Sequence, residues 1–395
     1  MKGLWPLTLA SVFNFAAASA VALSIQLYLK ELGASTLVIG LGSTLFWLAT
    51  LLASSFWGAL SDHFRRRPLL TLILTINSLT AASFAFIPSV GGVLATIFLR
   101  ALMTVGFAPI ALALISGVST QRERGRNLSY YNSSQSLGFM FGRIIAGLLL
   151  GWLAFRGTYL VLALLPLLAL VPLAALHEAD DPPHKAFGWA GLKRSLLPEL
   201  KSDWIFAQRG LRSLYLGIAL RQMGIAGTFS LIFVFMLSKL RINPALIGLI
   251  TAFNAGTQFP GMLAFGRLAD RVGRKRVFML GFALSALVPL VFTLAHGAGL
   301  MVLGFITIGL SFSSLASGAT AFIGDLAPLE RQGELLGLFK TSQGFGGILG
   351  PLLAGALASP AVLGFRGMFL VMAGVIFLGF LLALLKTEES LQEDH

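Results

Sequence analysis

Cysteine is absent from all 395 residues, which excludes disulfides, zinc–thiolate centres and cysteine nucleophiles. Charge is scarce too: 11% of residues are Asp, Glu, Lys or Arg, against 56% hydrophobic, and mean hydropathy is +0.85. A soluble chain of this length needs a thicker polar shell, so a soluble enzyme is excluded. No G-x-x-x-x-G-K-[ST] phosphate loop is present, which argues against an ATP-driven pump. All sixteen Asp and Glu fall in loops, tails or the ends of apolar runs, and none of the five His lies in the middle of one. Such a set suggests no metal or cofactor site.

Long apolar runs take the place of what is missing. Twelve can be marked, at 5–29, 38–60, 68–87, 92–117, 128–152, 157–176, 212–237, 245–267, 276–295, 298–323, 335–358 and 367–385. Each is long enough to cross about 30 Å of hydrocarbon as a helix, and only helices or closed barrels satisfy their own backbone there. The 32 Phe and 44 Gly suit helices packing closely in lipid. The first run follows a single Lys2 and continues into the pattern, so it is read as a true span rather than a cleaved signal. With the N-terminus in the cytoplasm, 20 Lys and Arg fall inside and five outside (Lys30, Arg156, Lys239, Arg241, Arg366). The positive-inside rule therefore places both termini in the cytoplasm of a cell inner or plasma membrane, and it accounts for the net charge of +13 without nucleic-acid binding.

The chain repeats itself 208 residues apart: GALSDHFRRR from Gly58 returns as GRLADRVGRK from Gly266, and Gln135, Gly138, Gly142 and Gly147 return as Gln343, Gly346, Gly350 and Gly355. Two apolar halves related in this way describe a secondary transporter whose site lies between them near the bilayer midplane. The halves are 1–176 and 212–395 (the latter with a short cytoplasmic tail), joined by a polar linker at 177–211. Within the linker, Trp189, Leu192, Leu196, Leu197, Leu200, Trp204 and Phe206 among basic residues read as an amphipathic helix on the inner membrane surface, or as a loosely ordered tether.

The loop G-x-L-a-D-x-x-G-R-[RK], complete in the second copy and carrying Arg65 for Gly in the first, resembles the signature of the major facilitator superfamily. The resemblance spans essentially the whole chain. It implies an all-α membrane protein of twelve transmembrane helices in two pseudo-symmetric six-helix bundles, working as a monomer by rocker-switch alternating access. It also implies that Gly58, Asp62, Arg66 and Arg67, with Gly266, Asp270, Gly273, Arg274 and Lys275, hold the cytoplasmic side closed in one state. Gly58 and Gly266 are expected to permit close helix contact there. GGILGPLLAG, from Gly346 in span 11, resembles the glycine–proline motif that exporters of the superfamily carry on helix 5. Helix 5 here has Arg143 in place of the proline, so close helix packing is the preferred reading of both segments.

Four basic residues remain inside the spans: Arg100, Arg143, Arg221 and Lys340. Buried cations without a carboxylate are costly, and an anionic substrate would neutralise them. In the superfamily fold spans 1, 4, 7 and 10 line the cavity, which favours Arg221 and Arg100. Asn14, Gln26, Gln135, Gln222, Asn254, Gln258 and Gln343 could complete a polar lining. The expected function is transport of a small organic solute, anionic or amphipathic. The alternatives are a drug:proton antiporter and a lipid or lysolipid flippase. The other reading of Arg100 is that it snorkels to the headgroups. If protons are the coupling ion, Asp325, Glu31 or the loop carboxylates must carry them.

The topology is testable directly. A C-terminal green fluorescent protein fusion should fluoresce and a C-terminal alkaline phosphatase fusion should be inactive; the opposite pattern would overturn the assigned orientation.

Overall fold

The computed structural model describes residues 4–61, 63–176, 211–325 and 332–386, with side chains undescribed at a few further positions. The described residues are almost wholly helical. In chain order the helices are α1 (Trp5–Glu31), α2 (Thr36–Ser61), α3 (Arg66–Ser83), α4 (Val90–Thr104), α5 (Phe107–Val118), α6 (Gln121–Trp152), α7 (Phe155–Leu162) and α8 (Leu164–Ala174). The second series is α9 (Leu211–Ser238), α10 (Pro244–Val272), α11 (Arg274–Leu294), α12 (Ala298–Asp325), α13 (Gln332–Leu357) and α14 (Gly364–Lys386). Each expected span has its helix. The 177–211 linker, apart from Leu211 at the start of α9, lies outside the described residues.

Spans 4 and 6 are each broken once, which the apolar pattern does not foretell. Pro109 and Pro166 cause it, since a proline lacks the N–H that would bond to the carbonyl four residues back and its ring collides with that carbonyl. The chain breaks at Val105–Gly106 and at Ala163, so that each proline becomes the third residue of a new helix. Side chains take up carbonyls at both breaks: the Trp57 indole N–H donates to Leu102 O (2.8 Å) and the Ser78 hydroxyl to Ala163 O (2.7 Å).

Among the described residues, ten helical segments are long and apolar enough to span a bilayer. The helices outside that set are α10 and α13, which at 29 and 26 residues are long enough but carry the polar groups Asn254, Thr257, Gln258, Lys340, Ser342 and Gln343. The paired glycine-rich helices of the two halves are therefore not equally greasy.

The chain forms two compact units: Met1–Leu32 with Leu48–Leu200, and Gly33–Trp47 with Lys201–His395. The first unit is centred on Phe15, whose ring meets Phe107, Tyr131 and Phe139 at 5.3–6.1 Å between centroids. The second has a comparable aromatic centre in Phe229, Phe292, Phe305 and Phe369. The first half of α2 belongs to this second unit. There Thr36 donates to Gly355 O and Thr44 to Ile348 O, both at 2.9 Å.

The repeated glycines have a packing role in each unit. Gly138 and Gly142 press α6 onto α1: a β-carbon at Gly138 would lie 2.6 Å from Val12 O, and one at Gly142 would collide with Ala16 O. Gly346 and Gly350 press α13 onto α9 in the same way, against the carbonyls of Ala219 and Met223. Side chains are absent where two backbones must approach, as in small-xxx-small packing in lipid. Ser19 completes the α1–α6 contact by donating to Phe139 O (3.1 Å). The close-packing reading of these segments fits the geometry.

Gly142→Ala and Gly350→Ala should each destabilise the protein by about 1–3 kcal/mol, the range for overpacking. Gly374→Ala, where a β-carbon meets nothing within 4 Å, should be neutral or mildly stabilising. Melting of the detergent-solubilised protein measures all three. A wild-type melting point for Gly142→Ala would show that the stripe is not a steric requirement.

Candidate functional site

The loop pair explains its own mismatch. Gly273 ends α10 and begins α11 with φ +98° and ψ 144°, in the positive-φ region that favours glycine, and its N–H bonds to Ala269 O. Its counterpart Arg65, at the start of α3, has φ −56° and ψ 133°, which any residue adopts. The first loop therefore does not need glycine there. Arg66 Nη1 donates to Ala113 O of α5 (2.9 Å) and Arg67 Nη2 to Ala174 O, the last residue of α8 (2.7 Å). The Arg67 guanidinium on the final carbonyl of α8 complements that helix's dipole, and the two arginines together tie α3 to α5 and α8.

Within its own unit, a β-carbon at Gly58 or Gly266 would meet nothing within 4 Å, so neither glycine serves a close contact there. Asp270 is exposed, Arg274 and Lys275 are half-buried, and Asp62 lies outside the described residues. A cavity of about 370 Å³ opens on the first loop, lined by His63, Phe64, Arg65, Pro68 and Leu69.

The intramembrane cations part company. Arg100 on α4 is 8% exposed, and its Nη2 donates to Asn77 Oδ1 of α3 at 2.7 Å. Asn77 Nδ2 in turn donates to Asn14 Oδ1 of α1 at 2.9 Å. Arg100 therefore does not snorkel to the surface but anchors a buried chain of three polar side chains. Arg221 on α9 is 4% exposed and donates through Nε to Ser285 Oγ of α11 (2.7 Å) and through Nη2, at 3.4 Å, to Ser311 Oγ of α12. Its guanidinium also lies over the Phe312 ring, 5.5 Å from the centroid. Among the described residues, neither guanidinium has a carboxylate within ion-pairing distance.

The serine pair is arranged to accept. Ser285 and Ser311 lie 2.5 Å apart, and each lies within hydrogen-bonding distance of Gly281 O (2.7 and 2.8 Å). Two hydroxyl protons serve three contacts, so both are spent inside this triangle and the oxygens turn lone pairs to Arg221.

The remaining candidates are not gathered into these clusters. Gln222 and Asn254 are buried, with Gln258 donating to Asn254 Oδ1 at 3.1 Å. Gln26, Gln135, Gln343 and Arg143 are half-buried, while Lys340 is exposed, as is Glu31 at the end of α1. The side chain of Asp325 lies outside the described residues. Asn77, Ser285 and Ser311 were not foreseen. The signal for two of them was in the repeat, because the 208-residue offset carries Asn77 onto Ser285.

Comparison with known proteins settles the class. The Major Facilitator Superfamily pattern matches residues 7–238 and again 214–394, and the chain belongs to that family. It is a multi-pass membrane transporter. A multi-drug resistance efflux pump PmrA homolog from Lactococcus lactis is 24% identical over 341 residues, covering 85% of this chain and 82% of that protein. The nucleoside transporter NupG, in a point-mutant form, superposes with a TM-score of 0.80 at 16% identity, covering 96% of this chain and 98% of that one. The human organic anion transporter MFSD10 (TETRAN) gives a TM-score of 0.65 at 16% identity, covering 96% and 99%.

The loop geometry makes an asymmetric prediction. Gly273→Ala should cost about 1–3 kcal/mol of stability by forcing a side chain into a positive-φ position. Arg65→Ala, at an unstrained φ, should cost less. Equal losses in thermal melting would show that the two loops do not differ in backbone demand.

Proposed function

We propose that this transporter exports amphipathic organic solutes carrying negative or no net charge, by alternating access between its two bundles. The observation that carries the reading is the pair of buried guanidiniums, Arg100 and Arg221, whose hydrogen-bond partners are neutral amides and hydroxyls. Arginine keeps its charge, so each bundle holds a permanent positive centre within hydrocarbon. A low-dielectric surround screens that field poorly, which favours an anionic solute and penalises a cationic one. Arg221 and Arg100 act mainly through that field, because Asn77, Ser285 and Ser311 already occupy part of their donor sets. Gln135, Gln222, Asn254 and Gln343 are neutral groups suited to a solute's polar atoms, and Asn14 does the same only so far as Asn77 leaves it free.

Export is supported by the relative named as an efflux pump, and an anionic substrate class is consistent with the fold neighbour named as an organic anion transporter. The spans hold no mid-membrane carboxylate of the kind that grips a cationic drug and its counter-transported proton. Proton coupling would have to use Asp325, Glu31 or the loop acids.

The test is accumulation of fluorescent amphiphiles that share one ring system and differ only in charge, in a strain stripped of its own efflux pumps. Expression should lower accumulation of the anionic and neutral members several-fold and leave the cationic member unchanged. Preferential loss of the cationic member would overturn the reading in favour of a cationic-drug antiporter.

A further inference from the structure

The two arginine clusters are versions of one device. Asn77 and Ser285 are 208 residues apart, the offset of the repeat, and each is the twelfth residue of its helix, counted from Arg66 in α3 and Arg274 in α11. Each joins the third helix of its half to the first and the fourth. Asn77 links Arg100 of α4 to Asn14 of α1, and Ser285 links Arg221 of α9 to Ser311 of α12. The cation, however, comes from opposite sides. It is supplied by the fourth helix in the first half and by the first helix in the second. The positions that the offset makes equivalent to Arg100 and Arg221 are Ile308 and Phe13, both apolar.

We infer that Asn77 and Ser285 are the positioning residues of the charge-selective function, and that each holds one guanidinium at a fixed point of its bundle. This rests on the reading that buried positive charge sets substrate preference. A guanidinium attached to a long flexible stem does not stay in hydrocarbon by default; released from its acceptor it swings toward headgroups or water. The hub supplies the acceptor. Asn77 does so with its amide oxygen while its Nδ2 donates to Asn14 Oδ1. Ser285 does so with a hydroxyl whose proton is committed within the Ser311–Gly281 triangle. Both hubs thereby turn an oxygen lone pair, and no proton, toward the guanidinium. The element shared by the two halves is the acceptor at one register position of the third helix, not the helix that supplies the arginine.

The experiment measures the ratio of anionic to neutral amphiphile export, with melting of each purified variant alongside. Ser285→Ala removes the nearer of Arg221's two acceptors with little change of volume and should lower the ratio by a factor on the order of ten, the scale of one hydrogen bond to a charged group. Exchanging the hubs between halves, Ser285→Asn and Asn77→Ser, preserves an acceptor and should preserve most of the ratio. An unchanged ratio in Ser285→Ala, with or without a lower melting point, would reduce the hub to a structural residue and overturn the inference. Equal loss in Ser285→Ala and Ser285→Asn would overturn it too, because the acceptor would not be what matters. A wild-type ratio at or below one would instead remove the preference for anionic over neutral solutes on which the inference stands. The two failures are read from different proteins and cannot be confused.

Discussion

Hydrocarbon offers a polar group nothing to bond to, and the organisation of this molecule follows from that constraint. A buried guanidinium carries the steepest cost, several kcal/mol of lost hydration, and cannot escape it by losing its proton. Charge-assisted hydrogen bonds return about 1.5–3 kcal/mol each, so Arg221 with its two serines is roughly offset rather than comfortable. The same demand is met at lower stakes elsewhere. Trp57 donates to Leu102 O at a helix break, Tyr28 to Ile87 O past the end of α3, and Tyr215 to Leu335 O. In each case a side chain from one helix reaches a carbonyl of another segment, so satisfying polar groups and fixing helix positions are the same act.

Close backbone approach is the apolar counterpart. Without a hydrophobic drive between helices in lipid, contact must come from packing, and packing is tightest where side chains vanish. That is why Gly138 and Gly142 on α6 and Gly346 and Gly350 on α13 face backbone carbonyls of α1 and α9. The first helix of each unit is thereby held on one side by a glycine stripe. On another it is held by a polar cluster through Asn77 or Ser285. The two attachments differ in kind, one steric and one electrostatic, and together they fix the rotation of α1 and α9 about their axes.

Much of this was legible in the residues. Span positions followed from apolar length, and the pairing of loops and glycines followed from the 208-residue offset. The breaks at Val105–Gly106 and Ala163 were not read, because hydropathy is blind to a missing N–H and because Pro172, Pro260, Pro289 and Pro351 lie inside unbroken helices, so proline alone does not mark a break. Gly58 and Gly266 were read as contact glycines, and within their own units a β-carbon there would meet nothing within 4 Å. Their spacing in the motif carried no information about what lies opposite. Arg100 and Arg221 were identified as unusual by their charge alone. Their partners were not, because a serine inside a helix most often bonds back to its own backbone, as Ser285 also does with Gly281. Only the three-dimensional meeting of α9, α11 and α12 shows that its oxygen has a second use.

The swap of cation origin between the halves bears on how such a site can be built. Were the arginine needed as a direct ligand in a symmetric pocket, its place on the lining helix would matter, and the two halves would be expected to agree. They disagree in the donor helix and agree in the acceptor position. A long side chain can reach one acceptor from either neighbouring helix, whereas a short asparagine or serine must stand at the meeting point itself. The short residue therefore fixes the location of the charge and the long one only delivers it. The two positive centres thus share an acceptor register though not a donor helix, and a search for repeated cations along the chain would miss a pair that a search for repeated acceptors finds.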